Sequence, residues 1–164
     1  MGLTPREQYE GPRHFVGWIT PSANTVVERV TLGILREFPQ VSAHFSRTSV
    51  VGAVDPFALT YDFDDMLRCA ALLADAHLDV VAWNGSKGGS LDFKLDHQLV
   101  ERIQTLTGAR STTSTLAIDR VFREDRVKRY ALACPYVDSY CDRIVGSFAR
   151  EGYECVAARN CGLS

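Results

Sequence analysis

Short apolar runs, each the length of one buried strand, alternate along this chain with segments whose apolar residues recur at helical spacing, and that alternation leaves few folds open to it. His14 to Thr20 (HFVGWIT) suits a buried strand, and Pro21-Ser22-Ala23-Asn24 follows as a turn. Val27, Val30, Ile34 and Phe38 then recur every three or four residues, predicting a helix over 25–38 with one face turned inward. Thr25 and Glu28 have the spacing of a capping box at its start. A second strand is expected over 41–51, a second helix over 62–76 through Met66, Cys69, Leu72 and Leu73, and a third strand over 78–83. Strands that alternate with helices in this way form a parallel sheet with helices on both faces, so the fold class is α/β.

The same alternation continues beyond the third strand. Residues 92–106 and 115–122 read as helices around a short strand or turn at 109–113. A further strand–helix–strand pattern covers 129–134, 137–150 and 153–157. We therefore expect a disordered tail over 1–12, where Pro5, Gly11 and Pro12 lie among charged residues. A first α/β domain is expected over 13–122, and the beginning of a second, incomplete α/β domain over 123–164.

Eighteen Lys and Arg against twenty Asp and Glu give a net charge of −2, too little to draw the whole chain to nucleic acid or to an anionic membrane. No apolar run approaches the ~18 residues of a membrane helix, and Met1 to Pro12 has no apolar signal stretch, so a cytoplasmic location is expected. Five cysteines, an odd number without C-x-x-C spacing, point to reduced thiols. Cys69, Cys134 and Cys155 sit in apolar runs and are expected to be buried. His14, His77 and His97 have no partners at metal-ligand spacing, and no dinucleotide or P-loop fingerprint is present, so neither metal nor cofactor is expected. His44 and Arg47 are odd-spaced on one strand and read as structural.

In parallel sheets, ligands bind beyond the carboxyl ends of the strands. Three loops there are chemically unusual: Pro21 to Thr25, Asn84-Gly85-Ser86-Lys87-Gly88-Gly89-Ser90, and Pro135-Tyr136-Val137-Asp138. The second combines three glycines with hydroxyls, an amide and a lysine. Its backbone N–H groups could cradle a carboxylate or phosphate, or Asn-Gly could simply supply a positive φ for a turn. Asn24 could equally be a turn or capping residue.

Four segments, Ile19 to Thr25 with Glu28, Val80 to Ser86, Ser111 to Ala117 and Cys134 to Asp138, occur in an order and spacing that resembles the maleate isomerase and arylmalonate decarboxylase branch of the aspartate/glutamate racemase superfamily. The resemblance covers 14–164 and implies the flavodoxin-like, racemase-type parallel-sheet fold and cofactor-independent chemistry on a small carboxylate. It further implies substrate binding by Asn24, Asn84, Gly85, Ser86 and Tyr136. In isomerases and racemases of this family the position of Gly85 carries the first of two catalytic cysteines, and the decarboxylases have glycine there. The second cysteine is expected on a later strand-loop beyond Ser164, so the catalytic residues are unknown and little turnover is expected.

The expected function is isomerisation, racemisation or decarboxylation of a small (di)carboxylate through an enediolate or thiol adduct. Alternatives are a non-catalytic carboxylate-binding or assembly module and a flavodoxin-like nucleotide binder. The expected partner is a small carboxylate, with a homo-oligomer possible. Asn24, Asn84, Ser86 and Tyr136 are expected to converge on one pocket at the carboxyl edge of the sheet.

Overall fold

The computed structural model describes residues 11, 13–50 and 59–162, so most of the expected N-terminal tail and the last residue of the expected second strand lie outside the described residues. The elements run β1 (His14–Pro21), α1 (Val27–Leu35), β2 (Val41–Thr48), α2 (Phe63–Ala74), β3 (Val80–Trp83), a 3₁₀ turn (Ser86–Ser90), α3 (Phe93–Thr107), β4 (Arg110–Thr113), α4 (Ser114–Glu124), β5 (Arg129–Cys134), α5 (Asp138–Arg150) and β6 (Glu154–Asn160). The first four strands form a parallel sheet in the order β2-β1-β3-β4, and β5 and β6 form a second parallel pair. This is the α/β parallel-sheet class expected from the alternation of strands and helices.

The registers bring the four carboxyl ends of this sheet together. Pro21 of β1 lies beside Thr48, Ile19 beside Trp83, and Trp83 beside Thr113. The loops after β1, β3 and β4 therefore open on one edge. Beneath them, Ile19 and Val81 of the sheet pack with Met66, Cys69 and Leu73 of α2 and Leu99 and Ile103 of α3. Each fully buried aliphatic side chain here contributes about 1.5–3 kcal/mol relative to exposure. Gly108 ends α3 at φ 69°, a left-handed conformation suited to glycine, and its N–H reaches the Gln104 carbonyl at 2.9 Å.

A second core joins α3 to the β5–α5–β6 unit. Phe93, Ile144, Phe148 and Tyr153 are buried together, with Phe93 and Phe148 edge-to-face at 5.2 Å. The buried Ser147 hydroxyl of α5 donates to the Leu91 carbonyl at 2.7 Å, fixing α5 against the residue after the 3₁₀ turn. Asp119 of α4 accepts from the Tyr153 hydroxyl at 2.6 Å and from Arg123 Nε at 2.7 Å. Burial opposes its ionisation, but these donors outweigh burial and hold its pKa below the usual carboxylate range.

Three local expectations are corrected. The periodic face of the first helix does not pack inward: α1 has no buried residue, and Val30, Ile34 and Phe38 are 47%, 59% and 46% exposed. The helix leans on β2, an edge strand, where little covered sheet is available to receive it. The Thr25–Glu28 capping box does not form either. Asn24 Oδ1 accepts from the Val26 and Val27 N–H groups, both at 2.9 Å, while Glu28 pairs with Arg47 at 2.8 Å. The guanidinium of the neighbouring strand outcompetes the backbone for the carboxylate. Finally, Cys69 and Cys141 are the buried thiols, whereas Cys134 and Cys155 are only partly buried because their strands lie in the two-stranded sheet.

Candidate functional site

At the carboxyl end of β3 the chain turns sharply. Gly85 is extended at φ −127°, so the Asn-Gly pair does not use a positive φ, and the following residues wind into the 3₁₀ turn, with the Gly88 N–H on the Gly85 carbonyl at 3.0 Å. A β-carbon at Gly85 would collide with the Trp83 indole. The turn is therefore packed from behind by the strand that leads into it.

That packing rests on a buried polar group. Asp96 is fully buried on α3 and accepts from the Tyr61 hydroxyl at 3.1 Å. Tyr61 stands edge-on to Trp83 at 6.1 Å, and a β-carbon at Gly88 would lie 2.6 Å from its hydroxyl. Burial pushes the Asp96 carboxyl up to about 6, with the Thr113 and Tyr61 hydroxyls opposing the shift. Burial, reinforced by the Asp96 charge, likewise raises the Tyr61 phenol.

Ser86 faces the loop after β5. Its hydroxyl is hydrogen-bonded to the Tyr136 hydroxyl, joining two loops fifty residues apart in sequence. Beside them opens a cavity of about 370 Å³. Ser86, Ser114, Thr115, Tyr130 and Tyr136 contribute side-chain hydroxyls to its lining. Ile118, Leu132, Ile144 and Phe148 form its apolar wall.

The predicted residues divide. Ser86 and Tyr136 are brought into contact and line the cavity. Asn84 stands next to it, just after β3, its Oδ1 accepting from Ser114 Oγ at 3.3 Å and its backbone N–H donating to the Ile19 carbonyl at 2.9 Å. Gly85 supplies backbone at the turn. Asn24 is not among the cavity's lining residues; its side chain caps α1, and its carbonyl accepts from Arg47 at 3.1 Å. Ser114 and Thr115 were not singled out from sequence, although the hydroxyl run Ser111-Thr112-Thr113-Ser114-Thr115 after a short strand was a usable signal. Among the described residues no group of three or more His, Cys, Asp or Glu side chains could hold a metal, and no helix is long and apolar enough to cross a membrane.

This architecture is shared with solved enzymes. A maleate isomerase from Pseudomonas putida S16 superposes with a TM-score of 0.81 at 25% identity, over 92% of this chain and 65% of that protein. It has the maleate isomerase and arylmalonate decarboxylase fold. The maleate cis-trans isomerase of Nocardia farcinica, solved bound to TRIS, matches with a TM-score of 0.79 at 21% identity, over 92% of this chain and 64% of that one. Unliganded arylmalonate decarboxylase matches with a TM-score of 0.72 at 21% identity, over 92% and 63%. The chain thus spans just under two thirds of the length of these enzymes. No family model and no curated protein matches the sequence.

Proposed function

We propose that this chain is a cofactor-independent isomerase-, racemase- or decarboxylase-like protein that holds a small carboxylate between the loops after β3 and β5. The observation that carries this reading is the Ser86–Tyr136 hydroxyl pair, which lines a cavity otherwise walled largely by apolar side chains. Two hydroxyls that lie within reach of each other can both turn to donate to one carboxylate. The apolar wall favours an acid that carries a bulky uncharged substituent beside its carboxylates over one that carries charged groups alone.

The chemistry of this class removes or delivers a proton at the carbon α to a carboxylate, and donors aimed at the carboxylate stabilise the enediolate that results. Ser86, Tyr136 and the backbone of the turn would supply such donors. A thiol would serve as the acid or base. The Nocardia enzyme has been solved with a covalent succinylcysteine intermediate. Position 85 offers no thiol here, and Trp83 fills the space one would need. We therefore assign these residues carboxylate binding, with weak turnover in any reaction that needs a thiol at position 85. The same observation favours a non-catalytic carboxylate-binding module as the second reading.

Calorimetric titration with phenylmalonate, maleate and FMN, run beside turnover assays on the two acids, tests this. Phenylmalonate should bind best, and Ser86→Ala and Tyr136→Phe should each weaken it by about tenfold, as expected for one hydrogen bond to a charged group. Binding of FMN alone, or carboxylate binding indifferent to both substitutions, would overturn the reading. Binding without turnover would favour the second reading.

A further inference from the structure

A buried acid stands two contacts behind the turn that carries Ser86. Gly88 is the middle of that turn: its N–H bonds the Gly85 carbonyl at 3.0 Å, and its carbonyl accepts from the Leu91 N–H at 2.9 Å. The space that a β-carbon would take on Gly88 is bounded by the Tyr61 hydroxyl at 2.6 Å, and by the Thr115 hydroxyl and the Trp83 indole nitrogen, each at 3.5 Å. Thr115 also lines the cavity, and the neighbouring Gly89 faces Thr115, Ile144 and Phe148 of the same lining. Beyond Tyr61 lies Asp96, fully buried, which accepts the phenol's hydrogen bond. Among the described residues, Asp96 Oδ2 and Trp83 Nε1 have no hydrogen-bond partner. One phenol and one glycine thus separate a buried carboxyl group, half of it unpartnered, from the loop that meets Tyr136.

We propose that Asp96 is a positioning residue for the candidate site, acting through Tyr61 on Gly88, and that the site takes up its anion together with a proton on Asp96, a role that rests on the carboxylate reading of that site. The hydrogen bond to Asp96 fixes the Tyr61 hydroxyl against Gly88, and Gly88 fixes the backbone from which Ser86 meets Tyr136. Among the described residues that line the cavity none is cationic, so hydroxyls and the backbone of the turn hold the anion's charge. An ionised Asp96 would set a second negative charge behind that turn, with one oxygen bare of donors. A neutral Asp96 keeps the bond from Tyr61 and removes the charge. Anion and proton therefore favour each other, each raising the affinity for the other by the same factor. Burial already holds the Asp96 carboxyl up at about 6, and a bound anion moves it higher. Besides Tyr61, the titratable groups acting on Asp96 are His97, whose charge favours its ionisation, and Asp92, whose charge opposes it; Thr113 of β4 contributes a neutral hydroxyl. Well below pH 6 Asp96 is protonated in free and bound chains alike, and affinity is full. As pH rises past that value the free chain loses the proton that the bound chain keeps, and affinity falls.

Calorimetric titration of the folded chain with phenylmalonate at about pH 5 and about pH 8 tests this, with buffers of different ionisation enthalpy at about pH 7 to read proton uptake. From the lower to the higher pH, wild type should lose about ten times more affinity than Asp96→Asn, one pKa unit of coupling being a factor of ten. The acid's own ionisation is common to both proteins and cancels in the comparison. Asp96→Asn keeps an acceptor for Tyr61 without the charge, so it should match wild type at about pH 5, bind more tightly at about pH 8 and take up fewer protons at about pH 7. Such a gain of affinity is not the signature of a merely structural residue. Tyr61→Phe should weaken binding at both pH values, and His97→Gln should keep the wild-type decline. Equal pH dependence in wild type and Asp96→Asn, or a decline abolished by His97→Gln, would overturn this proposal and leave the carboxylate reading standing. Failure of every one of these proteins to bind phenylmalonate at either pH would overturn both.

Discussion

The indole of Trp83 folds back over Gly85 and takes the volume that a side chain at that position would need. A cysteine there must displace a ring that is itself 5% exposed and packed on Tyr61. Gly85→Cys should therefore lower stability by about 1–3 kcal/mol, the usual range for overpacking. Combined with Trp83→Leu, the loss should fall short of the sum of the two single changes by at least about 0.5 kcal/mol, because the residues share one space. Urea melts of the four proteins of the cycle measure this.

The Ser86–Tyr136 contact should also matter without ligand. It joins the first sheet's turn to the loop after β5, so Tyr136→Phe should cost about 0.5–1.5 kcal/mol in chemical denaturation. Ser86→Ala should cost a similar amount, and the double variant little more than either single one.

Asp96 should give stability a distinct pH dependence. Its folded-state pKa, about 6, lies above the 3.8 of an ordinary aspartate. Between those values the folded chain keeps a proton that the unfolded chain releases, so the associated stability is present below about pH 4 and lost as pH rises through about 6. Two units correspond to roughly 3 kcal/mol. In Asp96→Asn, which keeps an acceptor for Tyr61, this decline should vanish. Melts at about pH 4 and pH 7 should show wild type losing stability relative to the variant; parallel curves would refute the assignment.

Exposure on α1 leads to an opposite expectation for two aliphatic residues of similar size. Ile34→Ser, at a site 59% exposed, should change stability by less than about 0.5 kcal/mol. Leu99→Ala, fully buried between α3 and the sheet, should cost about 2–5 kcal/mol. Thermal or urea unfolding of the two variants makes the comparison.

Strand positions were legible because a buried parallel strand must be a continuous apolar run, and His14 to Thr20 and Leu78 to Trp83 are such runs. The inward face of α1 was misread because periodicity reports that a helix has an apolar side, not that sheet is available to cover it. Asn24 carried two readings from the start, and the backbone N–H groups of Val26 and Val27 decided for capping. The meeting of Ser86 with Tyr136 has no local signature, since it depends on how α5 docks; their loops stand out by following apolar strands, and the resemblance to a family names the two residues within them. Asp96 could have been found. Phe93, Asp96, Leu99 and Ile103 fall on one helical stripe, and a carboxylate on a core-facing stripe signals a buried polar contact.

The Ser147–Leu91 hydrogen bond also has a thermodynamic meaning. The 3₁₀ turn belongs by sequence to the first sheet, yet α5 of the later unit holds it from one side, and Tyr136 meets Ser86 on the other. Occupancy of the cavity and docking of β5–α5–β6 are therefore linked equilibria: whatever strengthens one must strengthen the other by the same free energy. A bound carboxylate should slow amide hydrogen exchange along the whole of α5, beyond the turns whose Ile144 and Phe148 line the cavity, and a substitution that loosens α5 should be felt as weaker affinity.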